Sequence, residues 1–243
     1  MSIPVNSSDP SAAQSASWVQ KVARDVGLLE RSSTADRVAD VLRRRITEGD
    51  LAPRTHLSEE QLIAALRVSR NTLREAFRML SHEGLLVHEL HRGMFVRELD
   101  EADLRDLYRL RRMIECGVVR SLADAPPGDL GALRTDVAEA VSASARGDWI
   151  AVGTANMQFH HDVVALARSP RTDQVTQRLL AEMRLAFHAA ASPERLHRKY
   201  VERNRELLDL LEAGRFEQAA TQLEEYLRDS LAELLEALRG EAA

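Results

Sequence analysis

The 243-residue chain has one cysteine, an aromatic content of only 4% and no apolar run near the roughly 20 residues that a membrane-spanning helix needs. Each shortage excludes something. A lone thiol, Cys116, rules out an intramolecular disulfide and a thiolate cluster, and its position between Ile114 and Val118 in a helical pattern makes it a small core residue. Few aromatics beside 29% charged residues suit amphipathic helices better than sheets, so a mainly α protein is expected. The N-terminus has neither the basic region nor the apolar run of a secretory signal. The expectation is a cytoplasmic protein with no membrane partner. No glycine-rich phosphate loop is present, and His160, the best placed general base, has no nucleophile or second carboxylate to work with. An enzyme is not expected, and no cofactor is called for.

What the chain does have is 44% hydrophobic residues, enough to build cores, and a net charge of -5 that is unevenly spread. Residues 31–98 hold 12 basic and 10 acidic side chains, whereas residues 99–243 hold 19 and 25. The acidity belongs to the C-terminal part. Phosphate attraction is local, screened within about 8 Å at physiological salt, so a weakly basic N-terminal unit can bind DNA beside an acidic one.

Residues 1–16 are rich in Ser, Ala, Pro and Asn, which predicts a mobile tail over 1–30, with a short helix from Trp18, Val22, Val26, Leu28 and Leu29 inside it. Ser33 or Thr34 caps a helix through Ile46, with Val38, Val41, Leu42 and Ile46 on one face. After a turn or extended segment at LAPRTHL, Ser58 caps a short helix whose apolar side is Leu62, Ile63, Ala65 and Leu66. The joint Arg67, Val68, Ser69 then leads into a third helix. There Leu73, Ala76, Phe77 and Leu80 form a buried stripe, while Arg70, Asn71, Arg74 and Arg78 share another side. Those are residue types that read guanine, adenine and phosphate oxygens. Gly84 stops the helix, and LLVHEL, HRG and MFVRE follow as strand, turn and strand. The order predicts a helix-turn-helix with a two-stranded wing over 31–98.

The run AAxxVSRNTLREAFRxLxxEGLL, followed by RGxFV, resembles the GntR family of bacterial transcription regulators. The likeness covers residues 34–98. It implies that Ser69, Arg70, Asn71, Thr72 and Arg74 dock in the major groove of double-stranded DNA, with Arg92 and Gly93 of the wing tip at the minor groove or backbone. Two departures stand out. Pro53-Arg54 replaces the usual Pro-Gly, and Glu60 stands where the family has an arginine, so no DNA contact is carried onto the helix that holds it.

Beyond a short polar linker at 98–102, residues 99–243 read as six antiparallel helices broken at Pro126-Pro127, Gly147, Ser192-Pro193 and Gly214, with the fourth spanning roughly 171–190. A winged helix followed by such a bundle is similar to the FadR-like branch of the family, which implies a dimerising, effector-binding FCD domain. RxxIE at 111–115, FH at 159–160 and the run at 204–227 carry this likeness. Asn156 and His160 lie one turn apart on an apolar face, Asn204 joins Leu207, Leu208 and Leu211, and Arg111 aligns with Leu107, Ile114 and Val118. With Tyr226 they predict a central polar pocket. Arg111 either pairs with a ligand carboxylate or with Glu115 one turn on. His161, His82 and His197 are expected at the surface.

Many members of that branch bind a divalent metal through one Asp and three His. The matching positions here are Asn156, His160, Asn204 and Tyr226, a set that offers one imidazole and no carboxylate. No metal is expected. The predicted protein is a homodimeric transcription regulator that binds a short palindromic operator under the control of a small organic, carboxylate-type effector. Its rivals are a nonspecific DNA-binding scaffold and an enzyme built on His160.

Overall fold

In the computed structural model the described residues are 33–47, 50–188 and 193–241; the expected tail and short helix over 1–30 lie outside them. Helix α1, Thr34–Thr47, opens on a reciprocal cap in which Ser33 Oγ accepts from Asp36 N at 3.1 Å and Asp36 Oδ2 accepts from Ser33 N at 2.6 Å. Val38, Ala39, Leu42 and Ile46 are buried, but Val41 is exposed. It sits roughly a third of a turn off the centre of the stripe, whose other flank is taken by Ala39.

Strand β1, His56–Leu57, precedes α2, Glu59–Leu66, and α3, Arg70–His82; β2, Leu86–Glu89, and β3, Gly93–Val96, follow. The wing has three strands rather than two, in the order β1-β3-β2, all antiparallel. The extra strand comes from the LAPRTHL turn, which brings His56 opposite Phe95. Arg54 takes φ 66, the left-handed region that a glycine would occupy without strain, and its N–H donates to Val96 O at 2.9 Å. The Pro-Arg departure thus keeps the turn at the cost of local strain. Ser58 Oγ caps α2 by accepting from Gln61 N; Leu62, Ile63 and Leu66 are half-buried, while Ala65 is exposed. Leu73, Ala76, Phe77 and Leu80 of α3 are buried as their spacing predicts.

The bundle comprises α4, Glu101–Ser121; α5, Gly131–Ala145; α6, Trp149–Ala165; α7, Pro170–His188; α8, Pro193–Glu212; and α9, Phe216–Glu241. Helix α6 is its centre, packed against α4, α5, α7 and α8, so its polar residues are enclosed on several sides. Val141 of α5 is exposed because Ala140 and Ala143 take the interior positions beside it. His197, expected at the surface, is buried against Gly153 with its ring 5.3 Å from that of Phe187, and burial pushes its pKa down to about 4. His161 is half-buried, its Nδ1 2.9 Å from Asp162 Oδ1 and its Nε2 2.7 Å from Asp173 Oδ1; His82 is exposed.

The segment joining wing and bundle is anchored. Leu99 is buried and Asp100 forms a capping box with Asp103 at the start of α4. Arg97 bridges Asp103 Oδ1, at 2.6 Å, and Glu182 Oε2 of α7, at 2.8 Å. Opposite it, Gly84 has φ +75, and a Cβ there would lie 2.5 Å from Glu182 Cδ. One contiguous apolar cluster runs from Val38 in α1 to Leu235 in α9, so the wing unit and the bundle meet across packed side chains. Among the described residues no helix is long and apolar enough to cross a membrane.

Candidate DNA interface and bundle pocket

Helix α3 starts at Ser69, whose Oγ accepts from Thr72 N at 3.1 Å and lies 2.8 Å from Thr72 Oγ1. Both hydroxyls are therefore engaged in the cap. Arg70, Asn71 and Arg74 are exposed on the first two turns. Glu59, at the start of α2, sits between the arginines: Arg74 Nε donates to its Oε1 at 3.0 Å, and Arg70 Nε lies 3.9 Å from its Oε2. The acidic side chain holds both guanidinium groups on one side of the reading helix, a position that a phosphate or a base edge would contest. Arg78 is paired within its own helix to Glu75.

The wing turns through Glu89, Leu90, His91 and Arg92, with Arg92 N donating to Glu89 O at 3.0 Å and His91 at φ 63. Arg92 pairs with Glu89 and lies over the Phe95 ring at 5.1 Å, while Gly93 adopts φ +98 close to His56. The helix face and the wing tip thus present arginines supported by neighbouring carboxylates. Leu90, 75% exposed at the tip, carried no signal in the sequence because a lone surface leucine is ordinary.

In the bundle, Arg111, Asn156, His160, Asn204 and Tyr226 are all buried. They form two connected sets. Asn156 Oδ1 accepts from Asn204 Nδ2 and from Tyr226 OH, each at 2.7 Å, and the Tyr226 ring stands edge-on to His160 at 4.9 Å. Glu115 links the others: its Oε1 accepts from Arg111 Nε and its Oε2 contacts His160 Nδ1, both at 2.7 Å. Arg111, expected to meet a ligand carboxylate or Glu115, is thus neutralised by Glu115. Burial opposes the charge on Glu115, but Arg111 and His160 outweigh it and hold the carboxyl below its usual range. Burial pushes His160 down, so its ring is neutral and must donate from Nδ1–H to the carboxylate. Its Nε2 is then a bare acceptor.

That Nε2 and Asn204 Oδ1 are buried with no hydrogen-bond partner. The buried cluster therefore carries balanced charge and unmet accepting capacity, and its phenol stays protonated because burial raises the Tyr226 pKa. A metal does not fit. Asn156 Oδ1 already accepts two hydrogen bonds, no carboxylate stands at the four positions, and no group of three ligating side chains occurs among the described residues. Glu115 joins Arg111 to His160, a link that the sequence signals only by the i,i+4 spacing from Arg111 and by its place in RxxIE. Asp136 of α5 carries no signal in the sequence. It is buried, and desolvation with the nearby charge of Asp162 pushes its pKa up to about 7.

Comparison with known proteins matches residues 34–96 to the bacterial regulatory proteins of the gntR family and residues 106–229 to the FCD domain. A protein of Paenarthrobacter nicotinovorans named a probable D-xylose utilization operon transcriptional repressor is 30% identical over 194 residues, 76% of this chain and 82% of its own length. The HTH-type transcriptional repressor RspR of Escherichia coli K12 is 39% identical, but over 83 residues only, 34% of this chain and 36% of that protein. Among solved structures, a GntR-type transcriptional regulator from Rhodococcus sp. RHA1 aligns with a TM-score of 0.80 at 40% identity, covering 85% of this chain and 99% of that one.

Proposed function

The chain belongs to the GntR family of bacterial regulatory proteins, in the branch that carries an FCD domain, and from that premise we propose a homodimeric, ligand-responsive repressor acting in the cytoplasm. Residues 31–98 would read DNA and residues 99–243 would dimerise and hold the effector. The observation that carries this reading is the exposed face of α3, where Arg70, Asn71 and Arg74 stand clear of a fully packed opposite face beside a three-stranded wing. Two such units related by a two-fold axis suit a short palindrome. Its relatives' names supply the direction, since the Paenarthrobacter and Escherichia proteins are both called repressors.

Arg111, Asn156, His160, Asn204 and Tyr226 line the proposed effector pocket, and the ligand is an organic molecule bound without a metal. With Arg111 charge-balanced by Glu115, the pocket reads hydrogen-bond donors through His160 Nε2 and Asn204 Oδ1 in preference to a carboxylate. Calorimetric titration with zinc and with nickel is expected to show no stoichiometric binding; submicromolar binding of either would overturn the metal-free reading.

The ligand acts by changing how the two reading units sit relative to each other. A coupling of about 1–3 kcal/mol alters DNA affinity by roughly 5–150-fold. Fluorescence anisotropy at fixed salt, with palindromes taken from the chromosomal region around the gene and with random duplexes, tests the whole proposal. Preference for one palindrome by about a thousandfold or more is expected. Equal affinity for all duplexes, with no ligand raising the melting temperature, would favour a nonspecific scaffold.

A further inference from the structure

We propose that the cleft between the reading helix and α7 is a second ligand site, distinct from the bundle pocket, for a small polyanion such as a di- or tricarboxylate or a phosphate ester. The cleft has a volume of about 840 Å³, within the range of roughly 300–1,000 Å³ usual for small-molecule sites. Arg43 of α1 and Arg78, His82 and Glu83 at the end of α3 form one wall; Gln177 and Arg178 of α7 contribute to the other. Three guanidinium groups and one carboxylate line the cleft; Arg43 is paired with Glu83 and Asp40 and Arg78 with Glu75, which leaves Arg178 as the cation without a counter-charge among the described residues.

The state of each arginine matters. Glu83 holds Arg43 by two hydrogen bonds, at 2.8 and 2.6 Å, and so fixes that guanidinium in the wall. Arg78 is paired to Glu75 on an exposed surface, where solvent screening makes the partner easy to exchange. Arg178 is exposed and makes no ion pair or hydrogen bond among the described residues. Cations that face one another across a cleft repel. An anion placed between them turns that repulsion into charge-assisted hydrogen bonds to both walls.

Because the walls come from the reading unit and from the bundle, only their docked arrangement offers the complete site. A ligand shifts such an equilibrium through its differential affinity for the two states, so the polyanion favours the docked form. It would reinforce the tie that Arg97 makes to Glu182, one residue from Ala181 in the cleft lining. Arg78 also lies one turn beyond Arg74 on the same helix.

Calorimetric titration of the full-length protein with citrate and with pyrophosphate, at constant ionic strength, tests the site. Saturable binding at one site per chain is expected with at least one of the two, and the successful probe tells carboxylate from phosphate recognition. Arg178→Gln should weaken it tenfold or more. Arg171→Gln, on the same helix outside the cleft lining, and Tyr226→Phe, in the bundle pocket, should leave it unchanged. Equal binding by Arg178→Gln, or no saturation with either probe, would overturn the proposal. So would a threefold or greater loss of operator affinity by Arg178→Gln without any anion, accompanied by a lower salt slope, because the cleft would then carry the DNA backbone.

Discussion

Replacing Glu115 with leucine is expected to destabilise the protein by about 3–5 kcal/mol, the usual cost of stranding one member of a buried ion pair. Arg111 and Glu115 are each almost wholly buried, 3% and 1% exposed, and their contact of 2.7 Å lies inside the helical bundle. Without the carboxylate, a guanidinium that cannot shed its proton remains buried without a counter-charge, and His160 Nδ1–H loses its acceptor as well. Arg111→Leu should cost less, because Glu115 can escape its own isolation by taking up a proton. The sign follows from linkage. In the parent, Glu115 has a depressed pKa, so its contribution is present above the usual carboxylate range and lost as pH falls through the folded value. In Arg111→Leu the cause of that depression is gone, burial dominates, and the Glu115 contribution should weaken as pH rises instead. The double variant should be less destabilised than the sum of the two single ones. Urea unfolding at pH 7 and pH 5 measures all three. A Glu115→Leu loss below about 1 kcal/mol would show that the pair is open to water and not enclosed by the bundle.

This hub also marks how far pattern could be read. Period and caps are enough to place the six bundle helices, two of the three wing strands and the apolar face of α3, because those features depend on near neighbours in sequence. The same local signals put Arg111, Asn156, His160, Asn204 and Tyr226 on buried faces. They could not say how those residues divide among partners. Glu115 contacts His160, 45 residues on, and Tyr226 reaches Asn156 over 70, and such pairings are fixed by which helices pack together. His197 was misplaced at the surface for a related reason. Nothing beside it in sequence announces burial; Gly153, on another helix, leaves the space that its ring fills. The strand at His56–Leu57 was invisible because two residues carry no alternation, and it exists only through pairing with β3. Arg54 at positive φ shows the opposite limit, since the fold imposed a backbone conformation that the residue itself disfavours.

Arg74→Ala is expected to weaken operator binding by about 1–3 kcal/mol per half-site if the side chain reads a base, and a homodimer carries the loss twice. For the dimer that is roughly 30-fold at the least. The free protein sets the terms of this exchange. Arg74 Nε is held by Glu59 Oε1 at 3.0 Å and the pair is solvent-exposed, so releasing it costs little compared with a bidentate contact to guanine in the groove. Folding is not at stake, because the Arg74 side chain is exposed beside the buried stripe of Leu73, Phe77 and Leu80, and the melting temperature should stay near that of the parent. The salt dependence then separates two roles. A base-reading arginine loses its effect on mismatched duplexes and leaves the slope of log affinity against log salt nearly unchanged. A phosphate-binding arginine weakens every duplex alike and lowers the slope by about one for each copy lost. Glu59→Gln supplies the control, since it frees the same guanidinium without removing it. It should raise affinity for random duplexes more than for the operator, because an unrestrained arginine reaches any phosphate while the operator already repays its release from Glu59. Unchanged operator affinity for Arg74→Ala in both salt regimes would remove Arg74 from the reading surface and shift the assignment of that face to Arg70 and Asn71.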